Sequence, residues 1–254
     1  MPDTCIAAQL YTLRDFLKTP EDIAKTLHRV AEIGYGAVQL SSVGPIEPQE
    51  LRRICDGEGL TICATHTYLH QLRDELDAVI AEHEIYGCRY TAIPVPPEEY
   101  RSGEGYARLA KEGSEVARQA KARGLTVGYH NHSWEMEKFD GRTGLEILYS
   151  ESDPEAFTAE IDTYWIQHGG GDPAAWIRRV AGRSPLVHLK DMNIRGKEQL
   201  MAEVGEGNLN WPGILAACKE AGVEWYIIEQ DICQRDPFES LAISLRNLQG
   251  MGLS

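Results

Sequence analysis

The sequence predicts a single (β/α)8 barrel occupying residues 1–254, and three observations carry that expectation. Short apolar runs alternate eight times with helix-period stretches, a pattern that calls for a parallel sheet. No Gly/Ser linker or charge block divides the chain, and 254 residues is a usual length for such a barrel. Four of the runs, Leu125–His132, Phe157–Asp162, Ser184–Asp191 and Trp225–Asp231, stop abruptly in His, Asp or Glu. In a barrel of parallel strands, the carboxyl ends all open on one face. A doubly wound open sheet is disfavoured because no GxGxxG follows the first strand.

The elements follow in order. Cys5 to Leu10 reads as the first strand. Thr19 and Pro20 open a helix as N-cap and first residue; Ile23, Leu27 and Val30 give it an apolar face, and Gly34 closes it. Ala37 to Leu40 is the second strand and Glu47 to Cys55 the next helix. Leu60 to Thr65 is the third strand and ends at His66; Leu69 to Tyr86 reads as one helix. Arg89 to Ile93 is the fourth strand, stopped by the prolines from Pro94 to Pro97. Gly105 to Arg123 is a long helix with small residues facing inward. The fifth strand is Leu125 to His130, followed by a short helix from Thr143 to Tyr149. The sixth strand is Phe157 to Ile161, and Asp172-Pro173 opens another helix as cap and first residue. Leu186 to Leu189 is the seventh strand, Trp211 to Ala221 a helix, Trp225 to Ile228 the eighth strand, and Pro237 to Leu248 the last helix.

Composition narrows the function. The formal net charge is −14, from 39 acidic and 25 basic residues. That argues against a nucleic-acid partner and against an anionic membrane surface. The six cysteines form no CxxC pair and read as buried thiols of a reducing cytoplasm. The start of the chain lacks the basic and long apolar parts of a leader, and no run is long enough to span a bilayer.

The chemistry concentrates at the strand ends. Alternation puts His130 and His132 on one face of the fifth strand, with Glu135 close behind. Glu160 and Asp162 share a face of the sixth; Asp162 is nearer the mouth and Glu160 lies one layer deeper, able to pair with a base. His188 and Lys190 share a face of the seventh, whereas Asp191 points the other way and orients a loop. Glu229 and Asp231 share a face of the eighth. His and carboxylates together suit one divalent ion, Mn²⁺, Mg²⁺, Co²⁺ or Zn²⁺. His66 reads equally as a substrate contact or a structural residue, and Trp165 reads as packing or, by its position, as the best of the tryptophans for a sugar face. Gly205-Glu206-Gly207 reads as a phosphate cradle or, more often, as a turn.

On these residues the chain resembles the xylose-isomerase-like TIM barrels, a superfamily of sugar isomerases and epimerases. The resemblance rests on Gln9-Leu-Tyr-Thr-Leu-Arg14, Tyr129-His-Asn-His132 with Glu135, Ile161-Asp-Thr-Tyr-Trp165, His188-Leu-Lys-Asp191, Val204-Gly-Glu-Gly207 and Ile228-Glu-Gln-Asp231. It implies one divalent metal held by Glu, Asp, His and Glu at the ends of the fifth to eighth strands. Asp162, His188 and Glu229 match that pattern. At the first position, Glu135 is the expected ligand, with His130 or His132 as substitutes. The resemblance further implies a small-molecule sugar substrate and an enediolate route, with Glu229 and His132 moving the proton and with His66, Lys190 and Trp165 contacting substrate. A lyase acting on a keto-sugar or keto-inositol, a barrel that binds sugar without turnover, and a homo-oligomer all stay open at this stage.

Overall fold

The computed structural model describes residues 5–253; Met1–Thr4, part of the stretch read for a leader, and Ser254 lie outside the described residues. Eight parallel strands close into a barrel in chain order: β1 Ile6–Gln9, β2 Ala37–Leu40, β3 Thr61–His66, β4 Tyr90–Ile93, β5 Thr126–His130, β6 Phe157–Asp162, β7 Leu186–Leu189 and β8 Trp225–Ile228. Closure is made by β8 on β1, pairing Ile6 with Tyr226, Ala7 with Ile227 and Ala8 with Ile228. This is the (β/α)8 barrel that the alternation predicts.

The pleat sorts the strand residues into two apolar groups. Outward-facing residues such as Ala8, Val38, Val127, Val187 and Ile228 pack beneath the helices in the main core. Inward-facing Ala7, Ala37, Ala64, Tyr90, Leu186, Trp225 and Ile227, with Cys63 at the register shift between β2 and β3, form a separate plug. Two residues further along the same strands, the inward face changes character. Ala7 gives way to Gln9, Ala37 to Gln39, Ala64 to His66, Leu186 to His188 and Ile227 to Glu229. The barrel is therefore apolar at one end of its interior and polar at the other.

Local signals explain the helices. Thr19 accepts from the Asp22 amide, Pro20 follows it, and Gly34 ends the helix Pro20–Ile33 at φ 111°. Asp172 caps Pro173–Arg179 by accepting from Ala174 and Ala175. Helix Gly103–Lys121 buries Gly105, Ala110, Gly113, Ala117 and Ala120. A Cβ at Gly113 would stand 2.9 Å from the Phe157 ring, so glycine there lets the helix lie close against β6.

Three local features depart from the expectation. The helix expected over Leu69–Tyr86 is two, Leu69–Asp74 and Leu76–Tyr86, broken at Glu75 with φ −132°. No Gly or Pro marks the break, and the apolar spacing runs straight through it. A short helix, Thr163–His168, begins at once after β6, with Asp162 as its cap. The loop after β7 carries a hairpin, Asp191–Arg195 paired with Glu198–Ala202. Asp191 does orient this loop: its carboxylate accepts from the amides of Met192, Gly205, Gly207 and Leu209 and from the Trp211 indole. Gly205-Glu206-Gly207 is thus a turn whose glycine amides are spent on Asp191, and a Cβ at Gly207 would lie 2.4 Å from that carboxylate. Among the described residues no helix is long and apolar enough to cross a membrane.

Candidate functional site

The polar residues converge at the carboxyl ends of the strands, around a cavity of about 140 Å³. His66, His130, His132, Glu229 and Asp231 line it, together with the apolar surfaces of Tyr11, Tyr68 and Val95. Larger grooves, lined by residues such as Thr126 and Pro185 or Cys63 and Trp225, lie at the opposite end of the strands. In barrels of this kind that end serves stability.

Donor atoms of His130, Asp162, His188 and Glu229 all lie within 4.8 Å of one another. Each side chain comes from the end of a successive strand, β5 to β8, or the residue just after it. His130 Nε2 is 3.2 Å from Asp162 Oδ2. His188 Nδ1 is 2.9 Å from Glu229 Oε2 and 3.9 Å from Asp162 Oδ2. Asp162 uses its other oxygen, Oδ1, to cap the following helix at the Trp165 amide, 2.9 Å away. Its own amide donates to Asn131 Oδ1 at 3.0 Å, which fixes the turn of the chain here.

Three of the four expected ligands thus stand together, and Glu135 stands apart. The segment after β5 folds back through a short 3₁₀ turn, Trp134–Met136, and buries Glu135 completely. There the carboxylate accepts from the Tyr129 hydroxyl and, at 2.9 Å, from the His132 amide. Burial pushes its pKa up to about 6 despite those donors. Its position in the cluster is filled by His130, the residue at the strand end itself.

Lys190 is buried among three carboxylates. Its Nζ is 2.6 Å from Glu229, 2.7 Å from Asp231 and 3.0 Å from Asp162. Burial disfavours the ammonium, but Asp162, Asp231 and Glu229 outweigh it and hold Lys190 charged, well above its ordinary pKa. Burial would also raise the carboxyl pKa values of Asp162 and Glu229; Lys190 first, with the imidazoles, keeps both below the usual range. Burial alone would lower His188, yet Glu160 and Glu229 raise it to about 10.

His132 faces a different environment. Its ring stacks on Trp134 at 4.4 Å and leans on Trp165 at 5.4 Å. Burial, then His130 and Lys190, hold it well below the ordinary imidazole pKa, so it is neutral at physiological pH. Its Nδ1 and the indole nitrogens of Trp134 and Trp165 are buried without a protein partner. Trp165 also sits 5.7 Å from Lys190 Nζ. His66 reaches the cavity with both nitrogens engaged, Nε2 by Glu160 at 2.9 Å and Nδ1 by Ser41 at 3.2 Å.

A second trio of ligand-type atoms, from His66, Glu160 and His188, also lies within 4.8 Å. The Glu160 oxygens are already taken by Gln39 and His66. Gln39, Ser41 and Asn131 are the site residues that the sequence reading passes over. A lone Gln inside the buried run Ala37-Val-Gln-Leu40 was the available signal for the first.

Comparison with known proteins settles the family. A family model described as xylose isomerase-like TIM barrel matches residues 27–248. The chain belongs to that family. By sequence it is similar to an inosose dehydratase of Lacticaseibacillus casei, 23% identical over 246 residues that cover 81% of this chain and 82% of the relative. By structure it is similar to a sugar phosphate isomerase/epimerase from Parabacteroides distasonis, with a TM-score of 0.83 and 22% identity over 99% of this chain and 96% of the other. An L-ribulose 3-epimerase superposes with a TM-score of 0.73 at 17% identity, covering 98% and 94%. At such identities the structural likenesses speak for the fold.

Proposed function

We propose that this barrel is a metal-dependent isomerase or epimerase that moves a proton on the carbon beside the carbonyl of an unphosphorylated keto- or aldo-sugar. The observation that carries this reading is the convergence of His130, Asp162, His188 and Glu229 within 4.8 Å at the rim of the barrel. The donor set fits a divalent ion. Atoms bound to one ion at ~2.1 Å stand ~3–4.3 Å apart, and two imidazoles with two carboxylates suit Mn²⁺, Mg²⁺, Co²⁺ or Zn²⁺. Those four residues would hold the ion; when bound, it supplies Lewis-acid stabilisation of negative charge on the substrate carbonyl oxygen.

The remaining chemistry belongs to the chain. His132, neutral and lining the cavity, and Glu229 are the groups for taking the proton from the carbon beside the carbonyl. The C–H electron pair moves into the adjacent carbon–carbon bond and the carbonyl pair onto oxygen. Returning the proton to the neighbouring carbon, while the adjacent hydroxyl gives its proton up to the former carbonyl oxygen, gives an isomer; returning it to the opposite face of the same carbon gives an epimer. Lys190, on exchanging one of its carboxylate partners for a substrate oxygen, and Trp165, whose ring lies 5.7 Å from its Nζ, are our candidates for contacting substrate. The cations nearest the cavity are already engaged: Lys190 by three carboxylates and Arg14 by the carbonyls of Tyr11 and Asp231. That favours a substrate without phosphate. Buried thiols at Cys55, Cys63, Cys88 and Cys218 are in keeping with a reducing cytoplasm.

The similarity to an inosose dehydratase favours a second reading. Here the same proton abstraction is followed by loss of a β-hydroxyl as water. Incubating the Mn²⁺-loaded protein with a panel of ketoses and keto-inositols in D₂O separates the two. Deuterium at the carbon beside the carbonyl with product mass otherwise unchanged supports the isomerase or epimerase. Loss of one water supports the dehydratase. Absence of both exchange and loss across the panel overturns proton abstraction itself.

A further inference from the structure

Beneath the candidate cation site, a chain of hydrogen bonds crosses the barrel interior. Gln9 Oε1 accepts from the Tyr11 amide at 3.2 Å, and Gln9 Nε2 donates to Gln39 Oε1 at 2.7 Å. Gln39 Nε2 donates to Glu160 Oε1 at 2.7 Å. His188 Nε2 lies 2.6 Å from Gln39 Oε1. Gln9, Gln39, Glu160 and His188 are all 0% exposed. They come from β1, β2, β6 and β7, so the chain ties one side of the barrel to the other.

The polarity of this chain follows from elementary hydrogen-bond chemistry. A backbone N–H only donates, so the carbonyl oxygen of Gln9 must face Tyr11, and its amide nitrogen must face Gln39. That turns the carbonyl of Gln39 toward Gln9 and its amide nitrogen toward Glu160. The hydrogen-bond partners of the Glu160 oxygens are nitrogens, of Gln39 and His66, as suits an acceptor. Both ends of the chain therefore set Gln39 the same way. Its carbonyl has a second lone pair, and His188 Nε2 is the group facing it. A carbonyl accepts only, so His188 Nε2 must carry a hydrogen.

We propose that Gln9, Gln39 and Glu160 are positioning residues that hold a hydrogen on His188 Nε2, so that Nδ1, whose own hydrogen faces Glu229 Oε2 at 2.9 Å, is the atom that a bound cation would take. Nδ1 is the nitrogen turned toward Glu229 and Asp162. The inference rests on the cation reading of the site above and specifies which atom serves it and what holds that atom in place. A histidine ligand whose other ring nitrogen is anchored keeps its orientation, and loss of such an anchor weakens metal affinity about 10–100-fold.

The test uses Zn²⁺ as the probe, because it is diamagnetic. In the zinc-loaded wild type, long-range ¹H–¹⁵N spectra should show His188 with zinc on Nδ1 and hydrogen on Nε2. Calorimetric titration should show Zn²⁺ binding about 10–100-fold weaker in Gln39→Leu and in Glu160→Gln. Leu186→Ala, which opens the same interior beside its register partner Glu160 but removes none of the chain's hydrogen-bonding groups, should lower thermal stability and keep wild-type zinc affinity. Glu160→Gln is nearly isosteric and serves if Gln39→Leu does not fold. Zinc on Nε2, wild-type affinity in the variants, or an equal loss in Leu186→Ala would each overturn the proposal. A wild type that takes up no zinc, manganese or cobalt overturns the cation reading, and with it the role assigned to the chain.

Discussion

The lower and upper tiers of the barrel interior differ by one step of the pleat. Ala7, Ala37, Ala64, Leu186 and Ile227 belong to the first; Gln9, Gln39, His66, His188 and Glu229, two residues on, belong to the second. Apart from His66, which is partly exposed at the cavity, both tiers are buried, yet they are held by different physics. The lower one gains from removing apolar surface from water, ~1.5–3 kcal/mol for a large aliphatic side chain. The upper one must offset the desolvation of His188, Lys190, Glu160, Asp162 and Glu229 through their mutual pairing, which at best roughly breaks even. The lower tier and the helix-covered outer core therefore carry the fold. The upper tier is carried by it, and its charges are free to answer to a ligand.

Each tier can be broken separately. Ile227→Asp places a carboxylate in the apolar tier among Ala7, Leu186 and Trp225. The expected cost exceeds ~4–5 kcal/mol, and soluble yield should collapse. A folded Ile227→Asp variant would erase the distinction between tiers. Lys190→Met removes the cation from a group of three carboxylates, with an expected loss of ~3–5 kcal/mol in urea denaturation. Mn²⁺ should restore more stability to this variant than it adds to the wild type, because it replaces a missing charge. Equal effects of Mn²⁺ on the two proteins would count against a cation site there. Asp172→Ala touches neither tier and removes only a helix cap, with an expected loss of ~1 kcal/mol and no change in Mn²⁺ affinity. A change in affinity would show that the site is coupled to distant helix ends.

Much of this was legible in the chain. The runs ending in Asp162, His188 and Glu229 marked three members of the cluster, because a charged group that ends an apolar strand has to be used or paired. Asp191 was separated from Lys190 by the period of two alone. The resemblance ranks Glu135 above His130 because the family carries a Glu at this position and Glu135 is the nearest carboxylate in the chain. The turn Trp134–Met136 reverses that order by folding Glu135 back beneath Tyr129. The break at Glu75 left no mark in composition, since the apolar spacing of the two helices stays in phase.

By itself, the sequence determined the alternation of strands and helices, their caps, and which strands end in chemistry. Those are properties of residues near one another in the chain, where the pleat, helix periodicity and N-cap preferences act. Only the tertiary structure decided that His130 completes the cluster, that Lys190 sits among three carboxylates, and that Gln39 faces His188 from 149 residues away. Closing the barrel is what brings such groups within hydrogen-bonding distance, and a buried donor must then meet whatever acceptor closure places beside it.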